Sequence, residues 1–535
     1  MIGTARAHRT ALSLAGVACL LSILPTSAAQ PSSTAIGIPE PAPVLAGGVG
    51  AHLRQSSQSD QIPRHPSELT YAPLEFTPPV AADYRHQLAN GVVVYVVEDH
   101  TLPLVDISLT IRTGSYLEPA DKVGLAGMLG SQMRAGGTTS MTASQLDEEL
   151  AFLAARMSTA IGATRGRASL NCLTKDLDTA LGLFFDVLRN PAFQQDRLDL
   201  AKSQALQAME RRNDSSASIE RREWNRLMRG PDHFSTRPTT EATIGSITRE
   251  EMIAFHRRYV QPGGFLFAVS GDVDTDGILA QLEAQMEGWP ADQTPVPAVP
   301  KPDYTPRPGV YLVDKPEVNQ GRVSIGHLGS QRHNPDRYAL AVMNDILGGG
   351  GFTARLMSRI RSDEGLAYSV GSSFGLGLYY DGVFRTAFQS KSPSVARATA
   401  IVMEEIEGLR SETVSEEELR DSKASFVETF TRNFASAAAT ANLFANDEYT
   451  GQDPDYWATY RERIDAVTAA DVLRVAREYL HPDRLVVLVV GNLDDILAGD
   501  PDYPEYAVER LSPNGEVERL SLPDPMTMKY PPGQR

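Results

Sequence analysis

Apolar residues recur along this chain in two rhythms, and the switches between them mark its predicted elements. Regular patterning begins at Tyr84. Residues 92–97 and 105–112 are rich in β-branched and alternating apolar positions and predict strands. Thr142 with Gln145 three residues on is a capping box, and it opens a helix with Leu146, Leu150, Leu153 and Met157 on one face. Strands are expected within residues 160–173. A helix follows from Asp176, with Leu177, Leu181, Phe184 and Leu188 turned inward, and Asn190-Pro191 stops it. The mixed-charge runs at 210–212 and 220–223 are expected on solvated helix faces. Ser415 with Glu418 is a second capping box, expected to open one long helix towards Asn446.

The pattern repeats. Residues 247–274 (ITREEMIAFHRRYVQPGGFLFAVSGDVD) and 467–494 (VTAADVLRVAREYLHPDRLVVLVVGNLD) each show a Thr-capped helix, a Tyr, a Pro and an apolar strand ending in Gly. Tyr259 answers Tyr479, Pro262 answers Pro482 and Gly271 answers Gly491, and the strand at 92–97 is answered at 310–313. The expected fold is therefore α+β, a tandem repeat of two homologous domains, each a mixed β-sheet backed by helices. The domains are placed at residues 80–288 and 309–500. A Pro-rich linker joins them at 289–308, and a tail at 501–535 is expected to run extended over a surface.

The stretch ILGGGGFTARLMSRIRSDEGLAYSVGSSF, residues 346–374, concentrates the candidate chemistry. Gly348, Gly349, Gly350 and Gly351 allow close approach of another chain. Residues 352–361 predict a short helix with Leu356, Met357 and Ile360 inward. Gly365 ends it and a strand starts near Leu366. Arg361 and Tyr368 then flank a turn and can reach the same space.

Composition and charge narrow the class. At 535 residues the chain exceeds one core. With 42% hydrophobic and 22% charged residues it is globular, and a net charge of −17 argues against nucleic-acid binding. Residues 1–29 read as a secretory signal, with Arg6 and Arg9 ahead of an apolar run and small residues at 27–29. Residues 30–75, rich in Pro, Ser and Gly, read as a disordered leader. No transmembrane span is expected in the mature chain. Losing the signal removes Cys19 and leaves Cys172 alone, so no internal disulfide can form. Export without disulfides fits a bacterial periplasm.

The Gly-rich run followed by R-S-D-E-G-L-A-Y resembles the C-terminal domain of insulinase/pitrilysin-type zinc peptidases, the inverted zincins. Residues 114–139 (GSYLEPADKVGLAGMLGSQMRAGGTT) resemble the same family, whose pattern is G-S-x-x-E-P, then G-L-A-H-x-x-E-H. The frame stands: Gly114, Ser115, Glu118, Pro119, Gly124, Leu125 and Ala126. Where the resemblance implies two zinc histidines and a general-base Glu, this chain has Gly127, Ser131 and Gly130. Where it implies a third ligand, this chain has Ala208, with Glu210 the nearest carboxylate. None of these can supply the set that zinc needs. No two of the ten histidines stand four apart, so no relocated H-x-x-E-H or H-E-x-x-H exists.

The resemblance implies that Arg361 and Tyr368 are catalytic donors and that Gly348–Gly351 with Phe352 contact substrate. It also implies that this chain binds no cofactor itself, zinc being carried by a partner. The expected function is the non-zinc subunit of a heterodimeric metallopeptidase, whose partner is a zinc-bearing homologous subunit and whose substrates are peptides or unfolded segments. The alternative is an inactive scaffold or peptide-binding protein of the cell envelope. Gly371-Ser372-Ser373-Phe374-Gly375 matches G-x-S-x-G, but a strand on both sides does not make a nucleophile elbow.

Overall fold

The computed structural model describes residues 69, 75–290, 296–512 and 516–532. The expected signal at 1–29 and nearly all of the leader at 30–75 lie outside the described residues. Both domains belong to one compact unit, Pro73–Arg535.

Fourteen strands and fifteen helices are described in chain order. The first sheet comprises β1 (Arg85–Gln87), β2 (Val93–Glu98), β3 (Leu104–Ile111), β4 (Arg156–Ile161), β5 (Gly166–Leu173) and β6 (Phe265–Gly271), in the order β1-β2-β6-β3-β5-β4. The second comprises β7 (Gly309–Asp314), β8 (Gln320–Leu328), β10 (Ala367–Phe374), β12 (Val383–Lys391), β13 (Val486–Gly491) and β14 (Val517–Leu520), in the order β10-β12-β8-β13-β7-β14. The short strands β9 (Ser330–Gln331) and β11 (Leu376–Gly377) pair parallel beside it. Five strands of each sheet correspond: β2-β6-β3-β5-β4 with β7-β13-β8-β12-β10. In both, one parallel pair (β2 with β6, β7 with β13) stands beside an antiparallel run. This is the tandem repeat that the sequence implies.

Helices α1 (Leu125–Ala135), α2 (Ala143–Phe152), α3 (Leu177–Arg189), α4 (Gln195–Glu210), α6 (Glu241–Ser246), α7 (Arg249–Tyr259) and α8 (Thr275–Met286) belong to the first domain. The second has α9 (Arg337–Asn344), α10 (Val395–Ser411), α11 (Glu416–Glu428), α13 (Tyr456–Asp465), α14 (Ala469–Tyr479) and α15 (Leu493–Ala498). Both predicted capping boxes form, at Thr142–Gln145 and Ser415–Glu418. Leu177, Leu181, Phe184 and Leu188 are buried, as the pattern required. Met157 lies instead on β4, because the chain leaves α2 at Ala154 with φ 50°.

Two remaining helices cross over. α5 (Ser216–Arg229) leaves the first domain and packs Ile219, Trp224 and Met228 on Tyr311, Val313, Val486, Leu488 and Val490 of the second sheet. α12 (Ala437–Thr450) packs Ala441, Phe444, Ala445 and Tyr449 on Tyr95, Leu266 and Ala268 of the first. The two are repeat equivalents: Ser215 and Ser436 cap their starts, and Gly230 and Gly451 end them with φ of 79° and 63°. Each domain thus covers the other's sheet. Each large apolar side chain buried there contributes about 1.5–3 kcal/mol, so the domains hold one another.

This crossing corrects two sequence expectations. The helix expected from Ser415 to Asn446 breaks between Glu428 and Ala437. Phe430 turns inward there, against Phe76, Trp457 and Tyr460, and Ser436 caps a fresh start. The run at 220–223 is not a solvated face, since Glu220 and Glu223 have side chains only 5% and 1% exposed. Glu220 takes Arg322 at 2.9 Å and Arg385 at 2.8 Å, both from the second sheet.

The tail also departs from expectation. Rather than only lying over a surface, it supplies β14 as a parallel edge strand beside β7. It then returns to the first domain, where Asn213 donates to the Pro523 carbonyl and the Tyr530 hydroxyl reaches both Glu223 oxygens at 3.1 and 3.0 Å. Burial, and then Glu223, push the Tyr530 hydroxyl up to about 12, so it stays protonated and donates. Tyr530→Phe leaves a buried carboxylate short of a donor. It is expected to lower unfolding free energy by about 1.5–3 kcal/mol in a urea titration.

Candidate functional site

Helix α1 carries the positions that the resemblance assigns to zinc. Gly124 precedes it at φ 103°, a turn open to glycine. The Glu118 carboxylate accepts from the amides of Gly124 (3.1 Å) and Ala126 (3.0 Å) and so fixes the helix start. Burial pushes the Glu118 carboxyl up, against those two hydrogen bonds.

Gly127 and Ser131 share the exposed face of α1. A Cβ on Gly127 would meet nothing within 4 Å, and the Ser131 hydroxyl donates to the Met128 carbonyl at 2.9 Å. Gly130 turns the other way and is buried. A Cβ there would lie 2.2 Å from the Ile161 amide nitrogen, so α1 is seated directly on the backbone of β4. Ala208 is exposed on α4, which packs against α1. One hydroxyl, already bonded to its own helix, is the whole donor set at these four positions. Among the described residues no group of three His, Cys, Asp or Glu could hold a metal ion. The residues present do not fit zinc.

The second domain gathers the other candidates. Helix α9 runs on into a π-helical turn, Asp345–Gly349, which delivers the glycines. Gly348 is buried: a Cβ on it would lie 2.7 Å from the Ser372 nitrogen of β10. It packs closely against β10 and is itself buried, whereas Gly349 beside it is exposed. Asn344 and Ser372 clamp this approach, with the Ser372 hydroxyl donating to Asn344 Oδ1 at 2.9 Å. Gly351, at φ +67°, turns the chain so that Phe352 stands 73% exposed.

The helix expected over residues 352–361 forms later and wider. Gly351–Thr353 is a 3-10 turn, and Met357–Asp363 is π-helical. Leu356, Met357 and Ile360 still face the core. Strand β10 then begins at Ala367 with a bulge before Val370. The extra residue turns both Tyr368 and Ser369 outward, leaving Tyr368 84% exposed.

These departures bring the predicted pair together. The Arg361 guanidinium carbon lies 4.7 Å from the Phe352 ring centroid and 4.9 Å from that of Tyr368. It sits within cation–π range of both rings. Neighbouring cations are committed elsewhere: Arg355 to Glu418, Arg359 to Glu404 and Glu405, and Arg397 to Glu364. Arg361 forms no such pair among the described residues. The surface therefore presents an uncommitted guanidinium and a phenol side by side, two donors suited to an oxyanion. Sequence reasoning found these residues but not the stack, since a bulge and a π-helix leave no periodic signal. Ser373, of the G-x-S-x-G match, lies within β10, where it pairs with Arg385, so no elbow forms.

A two-lobed α+β chain of this kind, with a degenerate ligand helix and an Arg/Tyr surface, matches known family models. Residues 93–229 match the insulinase (peptidase family M16) model, and residues 246–426 match the peptidase M16 inactive domain. The chain belongs to the insulinase, or M16, peptidase family. An uncharacterized zinc protease of Rickettsia felis is 25% identical over 295 residues, 54% of this chain and 68% of that protein. The non-peptidase homolog YmxG of Helicobacter pylori is 23% identical over 424 residues, 77% of this chain and 95% of that protein. Among solved structures, a peptidase M16 inactive domain from Pseudomonas fluorescens superposes with a TM-score of 0.69 at 23% identity, covering 76% of this chain and 97% of that one. The periplasmic protease PqqL of Escherichia coli superposes with a TM-score of 0.66 at 18% identity, covering 79% of this chain and 47% of that one. These superpositions speak to the fold. No helix among the described residues is long and apolar enough to cross a membrane.

Proposed function

We propose that this chain is the zinc-free subunit of a two-chain zinc metallopeptidase acting on peptides or unfolded segments. In this reading a homologous partner carries the zinc and the general base. This chain supplies Arg361 and Tyr368, with Gly349–Gly351 and Phe352 as the surface met by substrate. One observation carries the reading. Arg361 is held between two exposed rings with no carboxylate of its own, while Arg355, Arg359 and Arg397 nearby are all paired. A guanidinium kept uncommitted is prepared for an anion that arrives from outside. As the scissile carbonyl oxygen gains charge, the guanidinium N–H and the phenol O–H donate to it. Each such donor is worth about 2.7–4 kcal/mol in the transition state. The expected site of action is the periplasm.

The test is a reconstituted equimolar pair of this chain and an H-x-x-E-H relative from the same cell. Arg361→Ala is expected to lower kcat about 100-fold with KM changed far less, and Tyr368→Phe to act in the same direction. Undiminished turnover in both variants would sink the proposal. It would favour the second reading, a peptide-binding or scaffold protein without catalysis, which the donor-poor face of α1 also permits. A mild pull-down from the native host separates the readings independently. Recovery of a zinc-bearing relative in equal amount supports the first; recovery of this chain alone supports the second.

A further inference from the structure

Beyond the Arg361 surface, one cavity of about 330 Å³ lies where the end of α5, the loop after it and the interdomain segment meet. Arg229, Arg237 and Lys301 line it, with Asp232 and Asp303 exposed at its edge. Among the described residues no carboxylate comes within ion-pair distance of any of the three cations. Arg229 has other company: it stands in the last turn of α5, where the helix dipole favours a cation, and over the Tyr380 ring at 5.3 Å. Arg237 has none of this. Its Nε is buried and has no hydrogen-bond partner. The carboxylate that acts on it is Glu118, whose oxygens already take the Gly124 and Ala126 amides.

Between the arginines stands His233, which does not compete for an anion. Its Nδ1 is 2.8 Å from the Ser235 hydroxyl and its Nε2 is 3.2 Å from the Pro300 carbonyl. Nε2 must carry the proton to serve that carbonyl, so Nδ1 accepts from Ser235. Burial, with both arginines adding, holds the imidazolium below its ordinary range, and the ring stays neutral. It works as a tie between the α5 loop and the interdomain segment. A buried donor without a partner is costly in a folded protein. A cluster of unpaired cations in a chain of net charge −17 is not a by-product of basic composition either. We propose that this cavity binds an oxyanion, a carboxylate or a phosphate, through Arg237, Arg229 and Lys301. This inference stands on the cavity and not on the subunit role proposed above.

Two sources share that chemistry: free inorganic phosphate and the C-terminal carboxylate of a peptide. Isothermal titration of the full chain with inorganic phosphate, and with one short peptide in free-acid and amidated forms, distinguishes them. Saturable phosphate binding identifies a free-anion site. Binding of the free-acid peptide alone, lost on amidation, identifies a terminus site. In either case Arg237→Gln and Lys301→Gln are each expected to weaken binding about tenfold, and added salt to weaken it further. Lys301 is exposed, so its replacement leaves the fold intact and guards against a folding artefact in Arg237→Gln. Silence with all probes, equal affinity for the two peptide forms without phosphate binding, or unchanged affinity in both variants would overturn the assignment.

Discussion

Glu220→Ala is expected to lower the unfolding free energy by about 3 kcal/mol, the lower part of the range for breaking a buried pair. The carboxylate lies 95% out of solvent on α5, a helix of the first domain, yet all its charged partners come from the second. Arg322 donates from Nε to one oxygen, and Arg385 and the Ser324 hydroxyl donate to the other. Removing the acid strands two guanidinium groups against the outer face of the second sheet. Both arginines keep roughly a third of their side-chain surface in water, which holds the loss below the full penalty of a sealed pair. Glu210→Ala is the control. It opens the same Glu-Arg-Arg pattern, is exposed at the C-terminal end of α4, and is expected to change stability by less than about 0.5 kcal/mol. Urea denaturation of both variants decides the matter. Equal midpoints would show that α5 does not fasten the domains through this carboxylate.

That contrast shows where sequence reading stops. Glu210-Arg211-Arg212 and Glu220-Arg221-Arg222 are indistinguishable as text. Their fates differ because α5 packs on a sheet whose β8 lies about a hundred residues further on, while Glu210 ends α4 in solvent. Apolar periodicity reports that a face is buried, not what buries it. The elements that answer to their own neighbours were legible. Capping boxes at Thr142 and Ser415 formed, the inward face of α3 formed, and the repeat from Tyr259 to Tyr479 reappears as matched sheet orders. The elements that answer to the partner domain were not. The break before α12 and the return of the tail through β14 to Glu223 both depend on the crossing of helices between domains. The geometry of the candidate site was not legible. Arg361, Tyr368 and Phe352 were singled out by the resemblance to the peptidase family, while their stacking needs the bulge at 368–369.

On the degenerate ligand helix α1, two glycines three residues apart should respond to alanine with opposite sign. Alanine in place of an exposed helical glycine ordinarily stabilises by about 1 kcal/mol, because it removes backbone freedom from the unfolded chain. At Gly127, where an added Cβ meets nothing within 4 Å, Gly127→Ala is expected to gain up to that amount. At Gly130 the added carbon would fall 2.2 Å from the Ile161 nitrogen and 2.8 Å from the Ala160 carbonyl carbon. These are backbone atoms of an edge strand held by β5, through Ala160 to Arg167 and Ile161 to Gly166, so they cannot yield as a flexible side chain would. Gly130→Ala is therefore expected to destabilise by about 3 kcal/mol, the upper end of overpacking penalties. The same geometry bears on any attempt to rebuild H-x-x-E-H here. The triple change Gly127→His, Gly130→Glu, Ser131→His places two imidazoles on the exposed face but wedges the acid between α1 and β4, and position 208 offers no third ligand. Equilibrium dialysis should find no stoichiometric zinc in that variant, and urea titration should find it less stable than the parent. A stable Gly130→Ala, or a triple variant that retains zinc through dialysis, would mean that α1 is not seated on β4. In that case the loss of the site would lie in its side chains alone. If the opposite signs are observed, the helix has closed over the space that a catalytic acid would need.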